Sequence, residues 1–422
     1  MTQQRMGSRA PLGALVIALL AALIVSAPAW AQDQPPAVPP VVAPVVPPAD
    51  APVVAPVDAP ADAGSPFDGN AMWIWQLPKA NGGDWEAIAQ QAKATNVTAL
   101  FIKSADGPVN DWRQFTPEMV DYFHSQGLKV CGWHYVYGRR PGAEARLSAN
   151  AMKDGADCFI IDAEAEYEGR YAAADEYMTK LRALVGDDAP IALAAFPYVD
   201  FHPSFPYSVF MRPKGGAEYN LPQMYWRAIG TSVDEAFRHT YRWNVPYDRP
   251  IFPLGQIWQS PSVSEIKRFR QLASAYGAPG VSWWEWSQGP ASVFRATGRV
   301  VAGNVTARSE NPVTIRRGSS GDWVVWAQEH LNGAGQAVKV TGNFGPQTQL
   351  AITAFQTAEG LPVSGTLDPA TWTALVEAEP VSTPWARRAR GARSASAASV
   401  GAGAPASARL PSKRNELAGK RE

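Results

Sequence analysis

Cysteine and histidine are scarce in this chain, and neither sign of charge prevails. The 422 residues hold 2 Cys and 5 His, and 38 Lys+Arg against 38 Asp+Glu leave a formal net charge of zero. Two cysteines cannot build a disulfide framework. Cys131 and Cys158 fall on two predicted strands that follow each other, so buried free thiols are expected in preference to a bridge. The histidines have no ligand spacing, which argues against a zinc amidase or peptidase, and neither metal nor cofactor is expected. Without net charge, no global field draws the chain to nucleic acid or a membrane surface. Aromatics, in contrast, are plentiful: 16 Trp, 13 Tyr and 15 Phe. They fill cores, and they also line grooves that stack on the flat apolar faces of sugar rings.

Both ends of the chain differ in composition from its middle. Arg5 and Arg9 precede an apolar run from Gly13 to Val25, too short for an ordinary transmembrane helix, and Ala29-Trp30-Ala31 forms a cleavage site. Residues 1–31 therefore read as a secretory signal peptide, with an uncleaved anchor as the minor alternative. The mature chain is expected outside the cell or at its wall, monomeric and without a membrane segment. From 32 to 65 the chain is mostly Pro, Ala and Val, a polyproline-II spacer. From 379 to 422 it is an Ala/Ser/Arg tail, expected to be disordered, whose basic charge either attracts acidic wall polymers or is simply solvated.

Between about residues 66 and 304, strand and helix patterns alternate. Strands are expected at Met72–Trp75, Val97–Lys103, Leu128–Tyr135, Asp157–Glu164, Pro190–Ala195, Leu221–Trp226, Pro250–Trp258 and Val281–Trp286. Eight strand–helix units in this length predict an α/β fold of the (β/α)8 TIM-barrel type, with an open flavodoxin-like sheet as the fallback. After a connector at 305–312, residues 313–378 read as a small all-α domain, with helices at Asp322–Leu331, Gln347–Thr357 and Pro369–Leu375.

Chemistry in such a barrel belongs at the C-terminal ends of the strands. The fourth strand ends in Asp162-Ala163-Glu164-Ala165-Glu166, and alternation puts the three acids on one face if the chain stays extended. Crowded carboxyls repel, which raises one pKa and separates an acid from a base. The bland alternative is a solvated acidic loop. Other strand ends contribute Trp75, Lys103, Tyr135, Gln223, Tyr225, Trp258 and Glu285. An aromatic-walled, acid-floored mouth suits a neutral polyol chain. Lys103 is a candidate ion-pair partner for a strand-four acid. Glu285 is either a second catalytic carboxylate or a hydrogen-bonded partner, and His134 reads as core or rim.

Two resemblances extend this reading. Arg317-Gly318-Ser319-Ser320-Gly321, Gln328, Gly342-Asn343-Phe344-Gly345-Pro346, Ala354-Phe355-Gln356, Gly360-Leu361-Pro362 and Thr371-Trp372 resemble the three-helix peptidoglycan-binding domain of bacterial wall enzymes. Thr341 and Ser364 stand where that family often has Asp before Gly. The resemblance implies a cell-wall glycan as partner. Ile161-Asp162-Ala163-Glu164, with Gln223 and Tyr225 at strand six, is similar to family-25 glycoside hydrolases, the lysozyme-like muramidases. That family's strand-one Asp is missing here, where Trp73-Ile74-Trp75 stands, and Glu285 replaces an Asp on strand eight. The resemblance implies Glu164 as general acid and Asp162 as stabiliser, nucleophile or base, with the other mouth residues orienting sugar. The acidic run is also similar to the D-x-D-x-E of family-18 chitinases, which would move the donor role to Glu166. A wall-glycan binder whose barrel does not cut is the alternative.

Overall fold

The computed structural model describes residues 64–299 and 305–385. The expected signal peptide, nearly all of the spacer, and the tail beyond residue 385 lie outside the described residues. Eight parallel strands follow one another around a curled sheet: β1 (Gly69–Ile74), β2 (Ala99–Asp106), β3 (Lys129–Val136), β4 (Cys158–Ala163), β5 (Ile191–Ala194), β6 (Tyr219–Asn220), β7 (Leu254–Gln256) and β8 (Gly280–Trp284). β1 pairs with both β2 and β8, and parallel bridges Asn220–Ile251 and Gln223–Leu254 join β6 to β7 and close the ring. A two-residue ribbon at Asn110–Asp111 adds antiparallel to β2.

Helices return the chain between strands: α1 (Trp85–Ala94), α2 (Pro117–Ser125), α3 (Pro141–Lys153), α4 (Tyr171–Val185), the single turns α5 (Tyr207–Phe210) and α6 (Trp226–Ile229), α7 (Val233–Asn244), α8 (Val263–Ala275) and α9 (Ala291–Thr297). Their starts follow local chemistry. Thr116 accepts a hydrogen bond from the Met119 N–H, Ser232 accepts one from Glu235, and Ser262 with Glu265 forms a reciprocal capping box. The sixth strand departs from expectation. Pro222 offers no N–H to a ladder and Trp226 starts a helical turn, so regular pairing is confined to Tyr219–Asn220 and Gln223 keeps only an isolated bridge.

Alternation along the strands sorts two cores. Met72, Ile74, Phe159 and Ile161 face the helices, while Ala71, Trp73, Phe101, Cys131, Trp133, Cys158, Ile160 and Trp284 fill the barrel interior. Cys131 and Cys158 are register partners on neighbouring strands, with Cα atoms 4.6 Å apart, and they are joined by a disulfide. This corrects the expectation of free thiols. Adjacency in the strand order was visible, but shared register and a common inward face come only with the folded sheet.

The C-terminal helices α10 (Asp322–Gly333), α11 (Pro346–Ala358) and α12 (Pro369–Val376) surround Val324, Leu331, Ile352, Phe355, Trp372 and Leu375. Two glutamines hold their turns. The Gln328 side chain bonds Thr341, Gly342, Asn343 and Thr348, and Gln356 bonds Ser364, Gly365, Thr366 and Thr371 in the same manner. At the two positions that depart from the resembled family, the Thr341 hydroxyl accepts from the Asn343 N–H and the Ser364 hydroxyl from the Thr366 N–H. A hydroxyl thus serves each turn where a carboxylate is usual, and the fold is kept. Residues 379–385, which composition assigns to the tail, lie back against the folded body: Thr383 is buried, its N–H donating to Glu329. Among the described residues no helix is long and apolar enough to cross a membrane.

Candidate active site

Asp162 shares the inner face of β4 with Cys158 and Ile160, and only 1% of its surface is exposed. Glu164 follows it in extended conformation (φ −130°, ψ −150°), which keeps the alternation, and is half-buried. The chain then turns through Ala165–Tyr167. Gln223, reaching in after β6, gathers the first two acids: its Nε2 donates to Asp162 Oδ1 and to Glu164 Oε1, each at 3.1 Å. One amide nitrogen thus bridges an oxygen of each carboxyl. Glu166, inside that turn, accepts from Tyr135 Oη at 2.8 Å. All three acids therefore bond side chains from the ends of other strands, Asp162 and Glu164 that of Gln223 and Glu166 that of Tyr135, unlike a merely solvated loop.

Tyr225 lies under the pair. It is buried, its hydroxyl has no hydrogen-bond partner among the described residues, and burial followed by the charges of Asp162 and Glu164 drives its pKa well up, so it stays a neutral donor. Trp258 packs edge-on to it at 6.2 Å and also has an unpartnered buried Nε1. Two such donors beside two carboxylates form a place ready for a hydroxyl-rich ligand. Tyr135 is likewise held protonated by burial, then by Glu164, Glu166 and Asp162.

Lys103 is buried and pairs with Asp106 Oδ2 at 2.5 Å, three residues along its own strand. Its ammonium lies 4.4 Å from the Trp112 ring, 4.9 Å from Trp133 and 5.9 Å from Trp75. Asp106 also accepts from Tyr137, whose ring meets Tyr135 edge-on at 5.0 Å. A continuous network thus runs from Lys103 to Glu166. Gln114 fastens the ends of β1 and β2 by donating to the carbonyls of Trp75 and Lys103. Trp112, Gln114 and Tyr137 were missed in the sequence. Only Tyr137 left a trace, two positions after Tyr135 and hence on its face.

Glu285 is buried and accepts from Ser287 Oγ at 2.6 Å, and burial raises its pKa. Its further ties run to the backbone of Ser287 and Trp75, the arrangement of a hydrogen-bonded partner. His134 points outward, bonds Ser148 Oγ and the Gly107 carbonyl, and is pushed by burial to a pKa of about 3. It is a neutral structural residue. Among the described residues no group of three His, Cys, Asp or Glu side chains is arranged to hold a metal.

Comparisons with known proteins bear chiefly on the C-terminal region. Residues 320–375 match the family model described as "Putative peptidoglycan binding domain", in agreement with the motif resemblance. Among solved structures, the chain is similar to a peptidoglycan-binding protein from Clostridioides difficile, at 38% identity and a TM-score of 0.15, over 16% of this chain and 42% of that one. The match spans less than half of that protein's length. Over the barrel it is similar to the Bacillus cereus spore cortex-lytic enzyme SleL, at 10% identity and a TM-score of 0.42, covering 55% of this chain and 73% of that one. It is similar also to a chitinase from Chromobacterium violaceum, at 10% identity and a TM-score of 0.38, covering 55% and 98% respectively. No curated protein matches the chain by sequence.

Proposed function

We propose that this chain is a secreted cell-wall glycan hydrolase in which Glu164 is the general acid and Asp162 the ionised partner. The observation that carries the reading is the shared donor, Gln223, holding one oxygen of each acid at 3.1 Å. Two carboxyls bridged by one amide are close enough to flank a single glycosidic bond as general acid and ionised partner. Asp162, the more buried of the two, acts as nucleophile or electrostatic stabiliser of the oxocarbenium-like centre; Glu164, nearer solvent, protonates the leaving oxygen and then activates water. Tyr225 and Trp258 supply donors to sugar hydroxyls, and Trp75 an aromatic wall. The domain at residues 320–375 concentrates the enzyme on peptidoglycan.

The test is release of reducing ends and muropeptides from purified sacculi by the mature chain, by Glu164→Gln and by Glu166→Gln. Loss only in Glu164→Gln upholds the assignment; loss only in Glu166→Gln moves the donor to Glu166, as the chitinase-like spacing would have it. One observation favours a second reading, a wall-glycan binder without hydrolysis: β1 ends in Trp73-Ile74-Trp75 with no carboxylate. Tight retention on sacculi with no new reducing ends from the unaltered chain decides for it.

A further inference from the structure

The helical domain is not hung from the barrel by its connector alone. Asp322, at the start of α10, is fully buried against the barrel, where its carboxylate accepts from the N–H and the hydroxyl of Ser208 and from Tyr247 Oη, at 2.7–2.8 Å. Trp326 Nε1 donates to the Pro246 carbonyl, and Trp323 packs on Trp243 at 4.8 Å. The segment after α12 returns as a strap: Thr383 N–H donates to Glu329, and Trp385 meets Tyr171 of α4 at 4.6 Å. Shifting the domain would strand several buried donors at once, each costly to leave unpaired.

The place of contact matters. The loop after β5 touches both partners. Its Pro203 carbonyl accepts from the Asp322 N–H, while its Ser204 carbonyl accepts from Gly169 N–H and its His202 pairs with Glu168, both in the loop that carries the β4 acids. The acid loop and α10 are thus separated by one short stretch of backbone at the rim of the mouth.

We propose that the helical domain and the barrel mouth form a single rigid glycan-binding surface, in which the helical domain holds a wall strand at a set offset from the acids. The partner is one polymeric glycan strand engaged at both places, and the inference rests on the mouth being the glycan site. Rigid spacing converts the second contact into an intramolecular event without the loss a loose linker imposes.

The experiment compares the full mature chain with Asp322→Ala and the milder Tyr247→Phe on two probes, purified sacculi and an N-acetylglucosamine hexamer. In the unaltered chain, 15N relaxation gives α2 and α11 the same tumbling time; two distinct times overturn the proposal. Loosening the interface by Asp322→Ala lowers cleavage of sacculi roughly tenfold, with Tyr247→Phe in between, while hexamer cleavage stays within about twofold. An equal fall on both probes means that the interface acts only by supporting the acid loop, and no fall on either means that the offset is irrelevant; each refutes the proposal. If the unaltered chain cuts neither probe, the hydrolase reading fails, and retention on sacculi is read instead: a tenfold loss in Asp322→Ala upholds the composite surface and an unchanged value refutes it.

Discussion

Two buried carboxylate sites in this molecule are built on opposite plans. At the barrel mouth, the Gln223 amide donates to both Asp162 and Glu164, and beside them stand a tyrosine and a tryptophan whose polar atoms have no hydrogen-bond partner among the described residues. At the base of α10, Asp322 accepts from the N–H and hydroxyl of Ser208 and from Tyr247 Oη, and is sealed from solvent. A carboxylate sealed among donors from another element is a fastening, whereas two acids bridged by one amide beside unsatisfied polar groups mark a candidate site. The contrast makes a claim that mutation can break: charge removal at the mouth costs activity on every glycan and spares stability, whereas at α10 it costs stability and leaves cleavage of a short soluble glycan nearly unchanged.

The largest expected effect is on activity. Glu164→Gln, which keeps the shape and removes the acid, lowers the rate on sacculi about a thousandfold, with a melting temperature within a few degrees of the parent. Next, dithiothreitol reduction of Cys131–Cys158, or Cys131→Ala with Cys158→Ala, costs about 3–4 kcal/mol in denaturant unfolding, because the bridge closes a loop with a sequence separation of 27. Asp322→Ala leaves the Ser208 and Tyr247 donors unpaired and costs about 3 kcal/mol by the same measurement. Gln223→Leu, which frees the two acids from each other, lowers the rate by about a hundredfold; retention of full activity would dissolve the contrast at its centre.

The smallest effect is a pH slope. Burial raises the pKa of Asp322 to about 6 and that of Glu329 to about 7, well above ordinary carboxyl values. Between roughly pH 4 and pH 7 the folded chain therefore holds protons that the unfolded chain has lost, so these two groups favour folding at the acid end and withdraw that support as pH rises through 6 and 7. Asp322→Asn flattens this part of the stability–pH curve.

The barrel was readable because strand and helix patterns and their alternation in eight units are properties of short segments, and the helix starts at Thr116, Ser232 and Ser262 are fixed just as locally by their caps. The sixth strand was placed at Leu221–Trp226, after the paired Tyr219–Asn220, because the pattern of apolar residues ran through Pro222, whose missing N–H the pattern does not register. At the mouth, alternation placed Asp162 and Glu164 on one face. It was silent on Trp112 and Gln114, which enter from the loop after β2 and reach the site only through the chain's path in space.

Periodicity and capping act within a dozen residues, so the chain carried its strands, its helices and its glycan-binding motif in plain view. The disulfide spans 27 positions, the Gln223–Asp162 contact 61 and the Ser208–Asp322 lock 114. Contacts at that range depend on register and on which surfaces meet, and those are settled only when β3 and β4 align, the ring closes at β6 and β7, and α10 comes to rest against the barrel. Local patterning wrote the parts, and packing chose which of their acids share a donor and which are sealed away.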